Sequence, residues 1–314
     1  MSPHGSTGCR HRRLRQAQQP LSSGLADGPP CWDNSPIAQL RSELLFSSEL
    51  VRVADVECHA ERSGFGPLEW CQSARIVIPR RGVFVVHRDE PIVADVNSVL
   101  VFGTDEERRI SHPADGGDRV TVLLFPPEVM EQALGSQAGR RGTLRSSTQV
   151  AVHMVTSVLG RRRADQLEGE EMALSLLADI ARDMAVSRPR PATRRTVAMQ
   201  RRRIETVREM LASRPADKWR LENVARAVSC SPFHLAREFR AFTGESIGRH
   251  LLRLRLGIAL NRLSEGEPDL ARLATELGFA HHSHFTAAFR KNLGVAPRAM
   301  RARLKNAGLK RAGN

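Results

Sequence analysis

Two sets of side chains in the last third of the chain have the types and spacing to read a nucleic acid. His234, Arg237 and Arg240 recur every three residues, and His282, Ser283, His284 and Thr286 are followed by Arg290 and Lys291. Residues three and four apart share one face of a helix, so each set can be presented together. An arginine fork pairs with O6 and N7 of guanine, a contact worth roughly 1 to 3 kcal/mol of discrimination, and Arg237 is the best candidate for it. The alternative for Arg237 is a phosphate contact, since much of any such interface goes to the backbone. The His281, His282, His284 tract also invites a metal, but no Cys or carboxylate nearby completes a ligand set.

Charge supports the nucleic-acid reading. The 314 residues carry 48 Lys+Arg against 34 Asp+Glu, a formal charge of +14. From residue 190 onward there are 26 basic and 10 acidic residues, a net of +16, whereas residues 1 to 189 hold 22 and 24, a net of −2. A positive field concentrated in this way attracts a polyanion, because phosphates that are neutralised release their counterions. A solvated helix face is the competing explanation for the same arginines. With 41% hydrophobic and 26% charged residues the composition is globular, and the length suits about two domains. No apolar run reaches the length of a membrane span and the first thirty residues lack a signal-like apolar core, so a cytoplasmic, nucleoid-associated protein without a membrane partner is expected. Five scattered cysteines, Cys9, Cys31, Cys58, Cys71 and Cys230, read as reduced thiols.

The elements that must hold the two sets form a weak internal repeat. Ala225-Arg226-Ala227-Val228-Ser229-Cys230-Ser231 leads to Leu235, Phe239-Arg240 and Gly244, and Ala274-Thr275-Glu276-Leu277-Gly278-Phe279-Ala280 leads to Phe285, Phe289-Arg290 and Gly294. Each copy reads as a helix, a tight turn and a second helix, with a small Ala at the crossing. Ser231-Pro232 starts one second helix, Asp269 caps the first helix of the other copy, and Gly244 and Gly294 stop the second helices. Arg220 and Ala280 stand where a capping residue is expected, each a loss of about 1 kcal/mol. Between the copies, Ser246 to Leu263 is apolar on two sides, with Ile247, Leu251, Leu254 and Ile258 in one stripe and Leu252, Leu256, Ala259 and Leu263 in the other. A helix of that pattern is buried between two bodies and spans about 27 Å, enough to set two recognition helices into successive major grooves about 34 Å apart.

Upstream, the runs Val51 to Val56, Ala74 to Ile78, Val83 to Val86, Ser98 to Phe102 and Val120 to Phe125, punctuated by Gly82, Pro91, Pro113 and Gly116-Gly117, predict a small antiparallel barrel or sandwich. From Gln149 the period turns helical: Val152, Val155, Val158 and Leu159, then Leu174, Leu177, Ala181 and Met184, form a hairpin turning at Gly160 to Asp165. Its apolar stripe must cover the barrel or pair with another subunit, and Ser187 to Pro191 reads as a linker. His59, His87, Glu90 and His112 are the metal candidates of the barrel, but their spacing gives no closely spaced His pair with a following Glu. Cys58-His59 with Cys71 is the candidate redox or metal sensor, set against buried thiols acting as small hydrophobes. No catalytic residue, metal or cofactor is expected.

Residues 204 to 303 resemble the DNA-binding domain of the AraC/XylS family of bacterial transcription regulators. The match rests on Leu273-Ala274, Leu277-Gly278-Phe279, Ser283-His284-Phe285, Ala288-Phe289-Arg290, Leu293-Gly294-Val295-Ala296-Pro297 and Arg301, with Leu251 and Arg253-Leu254-Arg255-Leu256 in the linking helix. Related regulators often carry longer polar groups at Ala236 and Ala287, which implies fewer direct base contacts here or apolar contact with thymine methyls. The resemblance implies a cupin-like upstream domain and an α+β, multidomain fold: an N-terminal antiparallel β-barrel with a helical hairpin, then an all-α double helix-turn-helix. The expected division is a disordered basic tail over 1–35, a sensor or dimerisation domain over 36–135, hairpin and linker over 136–190, the DNA-binding domain over 200–305, and a basic tail over 306–314. The implied function is sequence-specific regulation of transcription without enzymatic activity. The implied partners are promoter DNA, a small-molecule effector, a second copy of the chain and, for an activator, RNA polymerase. The rival reading is a cupin-type metal enzyme with a basic nucleic-acid-binding tail.

Overall fold

The computed structural model describes residues 40–69, 73–104, 106–135, 140–161, 164–186 and 194–307. The expected tail over 1–35, the linker from Ser187 to Pro191, Cys9, Cys31 and Cys71, and the end of the chain beyond 307 lie outside the described residues. Among the described residues nine strands lie in the first half of the chain: β1 Leu40–Ser47, β2 Arg52–Cys58, β3 Arg75–Arg81, β4 Phe84–His87, β5 Ile92–Ala94, β6 Ser98–Phe102, β7 Arg109–Ser111, β8 Asp118–Leu124 and β9 Arg141–Thr143. They form an antiparallel six-stranded sheet in the order β1-β2-β8-β3-β6-β9 and a three-stranded sheet in the order β5-β4-β7. Among the described residues no ladder joins the two into a closed ring, so the expected barrel is an open sandwich. The short strands β5, β7 and β9 escaped the sequence pattern because three residues are too few to display a period of two.

The central strands are buried on both sides, and their alternation sorts residues between two cores. Val53, Ile76, Ile78, Val99, Val101 and Leu123 point to one face, where they meet α2 (Ser146–Leu159) and α3 (Gln166–Val186) through Val152, Val155, Leu159, Ala173, Leu176, Leu177, Ile180 and Met184. Ala54, Val56, Val77, Leu100, Phe102, Val120 and Val122 point to the other and pack against Phe84, Val86, Ile92 and Ala94 of the small sheet. The hairpin stripe therefore covers the sheet. Its α3 portion is rotated from the expected one: Leu176 and Ile180 are buried while Leu174 is exposed. Helix α1 (Pro127–Leu134) fills the same core with Met130 and Leu134.

From residue 194 to 307 the elements are all helices: α4 Arg194–Ser213, α5 Leu221–Ala227, α6 Pro232–Thr243, α7 Ile247–Ser264, α8 Leu270–Glu276, α9 His282–Leu293 and α10 Pro297–Ala307. Ser231 caps α6 by accepting from the His234 amide, and Asp269 caps α8 by accepting from the amides of Ala271 and Arg272. Gly244 and Gly294 end α6 and α9 in the left-handed region with φ of 79° and 80°, where a Cβ is disfavoured. Arg220 caps α5 with no side-chain bond, whereas the residue at the start of α9 is His281 rather than Ala280, also without a cap bond. The two stripes of α7 divide as the pattern requires. Leu254, with Ile247, Leu251 and Ile258, joins the core of α4, α5 and α6; Leu256, Ala259 and Leu263, with Leu252, join that of α8, α9 and α10.

A third side of α7 is buried as well, against the sandwich. Gly257 lets the helix approach so closely that a Cβ there would lie 2.8 Å from a methyl of Val96. Val150 and Met154, on the side of α2 away from the sheet, pack into the α8 to α10 core. The turn between β5 and β6 supplies the polar part of this joint. Asp95 accepts from Arg208 of α4 at 2.7 Å, Glu205 accepts from Arg141 at 2.7 Å and from the Val93 amide at 2.8 Å, and His250 of α7 lies 3.6 Å from Asp95. At the far end of α7, Arg119 of β8 bridges Asp55 at 2.9 Å and Glu265 at 3.0 Å.

Candidate nucleic-acid interface

Helix α6 turns Leu235 and Phe239 fully inward, which leaves Phe233, Arg237 and Arg240 on its outer face; Phe233 is 80% exposed. An aromatic ring left in water at the start of a helix is an unusual expense, and a thymine methyl or sugar is a surface that would cover it. His234 is only half-exposed because its Nε2 lies 2.8 Å from Glu238, which also accepts from Arg203 of α4 at 2.8 Å. Burial alone would raise the Glu238 carboxyl, but the bond from Arg203 and the neighbouring charges hold it below the usual carboxylate range. His234 is thus fixed in orientation.

On α9, Phe285 and Phe289 are fully buried, and the opposite face forms a shallow groove wall made by His282, Ser283, Thr286, Ala287, Arg290, Lys291 and Gly294. The structure therefore gathers five of the expected residues on one surface: His282, Ser283, Thr286, Arg290 and Lys291. His284 is exposed but stands outside that group, its ring edge-on to Phe279 at 5.5 Å. Thr286 Oγ1 lies 3.4 Å from His282 Nε2.

The basic residues of this half differ in what surrounds them. Arg255 donates to the carbonyls of Pro215, Gly278 and Asp217, Arg301 donates to those of Glu267 and Pro268, and Arg262 and Arg272 pair with Glu267. Arg253 bonds Glu245 and the carbonyl of Leu144. These arginines hold the fold together. Arg237, Arg240, Arg290 and Lys291 are exposed, and among the described residues none has a carboxylate partner. An unpaired, exposed cation retains its full charge for a phosphate or a base edge.

A second site lies inside the sandwich, in a cavity of about 110 Å³ lined by apolar side chains of both sheets and by Cys58, Glu69, Arg75, Arg108, His112 and Asp118. Phe102 forms part of its wall, with Arg108 4.5 Å above the ring. His112 Nε2 lies 2.9 Å from Asp118 Oδ2. Burial alone would lower the His112 imidazole, but its bonds to Asp118 and Cys58 carry it up to about 10. The other candidates are dispersed: His59 is exposed beside Glu57, His87 bonds Ser111 at 2.7 Å, and Glu90 pairs with Arg201. Sequence spacing missed the grouping of Cys58 with His112 and Asp118 because it is made by strand pairing. The one sequence signal is Gly117, whose Cβ would lie 1.8 Å from the Cys58 carbonyl oxygen.

Comparison with known proteins agrees with this geometry. Residues 224–303 match the model of a helix-turn-helix domain family. A putative AraC-like transcription regulator of Streptomyces lividans is 27% identical over 257 residues, which cover 76% of this chain and 82% of that protein. The uncharacterized HTH-type transcriptional regulator YidL of Escherichia coli is 33% identical over 107 residues, 34% of this chain; the match spans about a third (35%) of YidL. The HTH-type transcriptional activator RhaS of Pectobacterium atrosepticum is 24% identical over 274 residues, covering 83% of this chain and 96% of RhaS.

Proposed function

The chain carries an AraC-type, DNA-binding helix-turn-helix domain, and on that premise we propose that it is a transcription regulator reading two neighbouring major grooves. The observation that carries this reading is that Arg237 and Arg240 on α6, and Arg290 and Lys291 on α9, stand exposed and, among the described residues, without a carboxylate partner on the face of each second helix opposite its buried phenylalanines. Arg237 reads a base edge, His234 and Arg240 flank it, and His282, Ser283, His284 and Thr286 meet the second groove, with Arg290 and Lys291 on phosphates. Phe233 and the short Ala236 and Ala287 favour thymine methyls. The protein acts as a regulator and not as an enzyme, on the bacterial nucleoid, together with RNA polymerase where it activates.

The sandwich cavity is the effector site. It suits a small, largely apolar molecule with one polar end directed at the Cys58, His112 and Asp118 side. Strand β6 links this cavity to the DNA-binding half, since Phe102 lines the cavity and Ser98, at the strand's other end, accepts from Arg208 at 3.0 Å. A ligand that shifts β6 therefore acts on the Asp95–Arg208 joint, and through α4 and α7 on both recognition helices. Pairing of two copies would place two such units on one operator.

Binding to fragments of the promoter upstream of the protein's own gene, compared with random duplex at rising salt, tests this. Preference for one fragment by a factor of about 1,000 or more at moderate salt supports the reading. Equal affinity for all sequences would reduce the protein to a general nucleic-acid binder.

A further inference from the structure

We propose that Cys58, His112 and Asp118 form a three-ligand site for a single divalent transition metal ion of the zinc class. The three side chains come from different strands and converge for reasons visible in the backbone. Cys58 ends β2 directly opposite Asp118 at the start of β8, so their side chains share the face turned to the cavity. His112 follows β7 of the other sheet and is held by a bridge to Ser63. One ligand atom from each lies within 4.8 Å of the other two, and all three residues are buried.

The chemistry of the set selects the metal. A thiolate, an imidazole and a carboxylate make a mixed S, N, O donor set that suits zinc-class ions and not calcium or magnesium, which take oxygens alone. In a tetrahedral site with metal bonds of about 2.0 to 2.3 Å, neighbouring ligand atoms stand roughly 3.3 to 3.8 Å apart. The His112 to Asp118 separation of 2.9 Å thus needs only a small opening for an ion to replace the shared proton. Binding sends the thiol proton, and that between imidazole and carboxylate, to solvent. Three protein ligands leave a fourth position, which faces the cavity and takes a water or a donor atom of a small molecule. The ion would clip the two sheets together at the mouth of the cavity. This rests on the strand geometry and is independent of how the helical half reads DNA.

The half-buried Cys230, His234, Glu238 trio and the His281, His282, His284 tract are the competing sites, and sulfur spectroscopy separates them. The full chain, stripped with a chelator, is titrated with Co²⁺ alone. One equivalent should produce a thiolate-to-cobalt charge-transfer band with intense visible bands of tetrahedral Co²⁺, bleached by Zn²⁺. Cys58→Ser should abolish the charge-transfer band and Cys230→Ser should leave it intact, with circular dichroism confirming folded protein. Where Cys58→Ser does not fold, Asp118→Asn, which keeps the thiol, should bind at least tenfold more weakly. The proposal is overturned if no sulfur band appears, if the band persists in folded Cys58→Ser or disappears in folded Cys230→Ser, or if folded Asp118→Asn binds Co²⁺ as tightly as the parent.

Discussion

The guanidinium of Arg208 donates to the carboxylate of Asp95 at 2.7 Å, with both side chains almost fully shut off from solvent. The first belongs to the helix that opens the DNA-binding half and the second to a turn of the sandwich, so this pair joins the two. Removing one partner of a buried pair strands the other charge at a cost of about 3 to 5 kcal/mol. Asp95→Asn is expected to lower the thermal midpoint and to decouple the halves, so that limited proteolysis releases them separately. Unchanged melting would show that the pair is not needed for the joint.

The pH dependence follows from the same region. Burial alone would raise Asp95, Glu205 and Glu245. The charges of Arg208 on Asp95 and of Arg141 on Glu205, and the His250 bond with the Arg253 charge on Glu245, outweigh it and hold all three below the usual carboxylate range. A carboxyl lowered on folding contributes stability that is complete above its unfolded value, near about 4, and is lost as pH falls through the folded value. The urea midpoint should be level, as far as these groups are concerned, near neutral pH and decline below about pH 4. Asp95→Asn should remove part of that slope.

Gly278 has a φ of +75°, and a Cβ there would lie 2.2 Å from the carbonyl oxygen of Ala216. Gly278→Ala should therefore cost more than about 1 kcal/mol from backbone strain alone, with the overlap adding to it. The loss should appear as a lower melting temperature and weaker protection of the half-site read by α9.

Much of this architecture was legible in the sequence because its signals are local. Ser231, Asp269, Gly244 and Gly294 announce helix ends by their own chemistry, and the double stripe of α7 forecast a helix held between two bodies. The basic excess pointed to DNA but did not say which arginines would face it. Arg255 and Arg301 resemble Arg237 in sequence and differ only in the carbonyls that tertiary packing brings to them. Asp95 with Arg208, and Cys58 with His112, are paired across long stretches of chain, and no period or spacing records such partners. The same holds for the third buried side of α7, where Gly257 meets Val96.

The two classes of contact on the recognition helices should separate under substitution. Arg237→Ala should relax preference at one base pair, costing about 1 to 3 kcal/mol on the specific site and little on random DNA. Lys291→Ala should weaken all sequences alike and reduce the salt slope by about one. Equal losses on both DNAs for Arg237→Ala would move that residue to the phosphate class.

The most direct test of the account is methylation interference and hydroxyl-radical footprinting of the full chain on its highest-affinity promoter fragment. The account predicts two patches of protected major groove on one face of the duplex, about 34 Å apart for each bound copy. A single protected groove, or uniform protection with no preferred site, would contradict it.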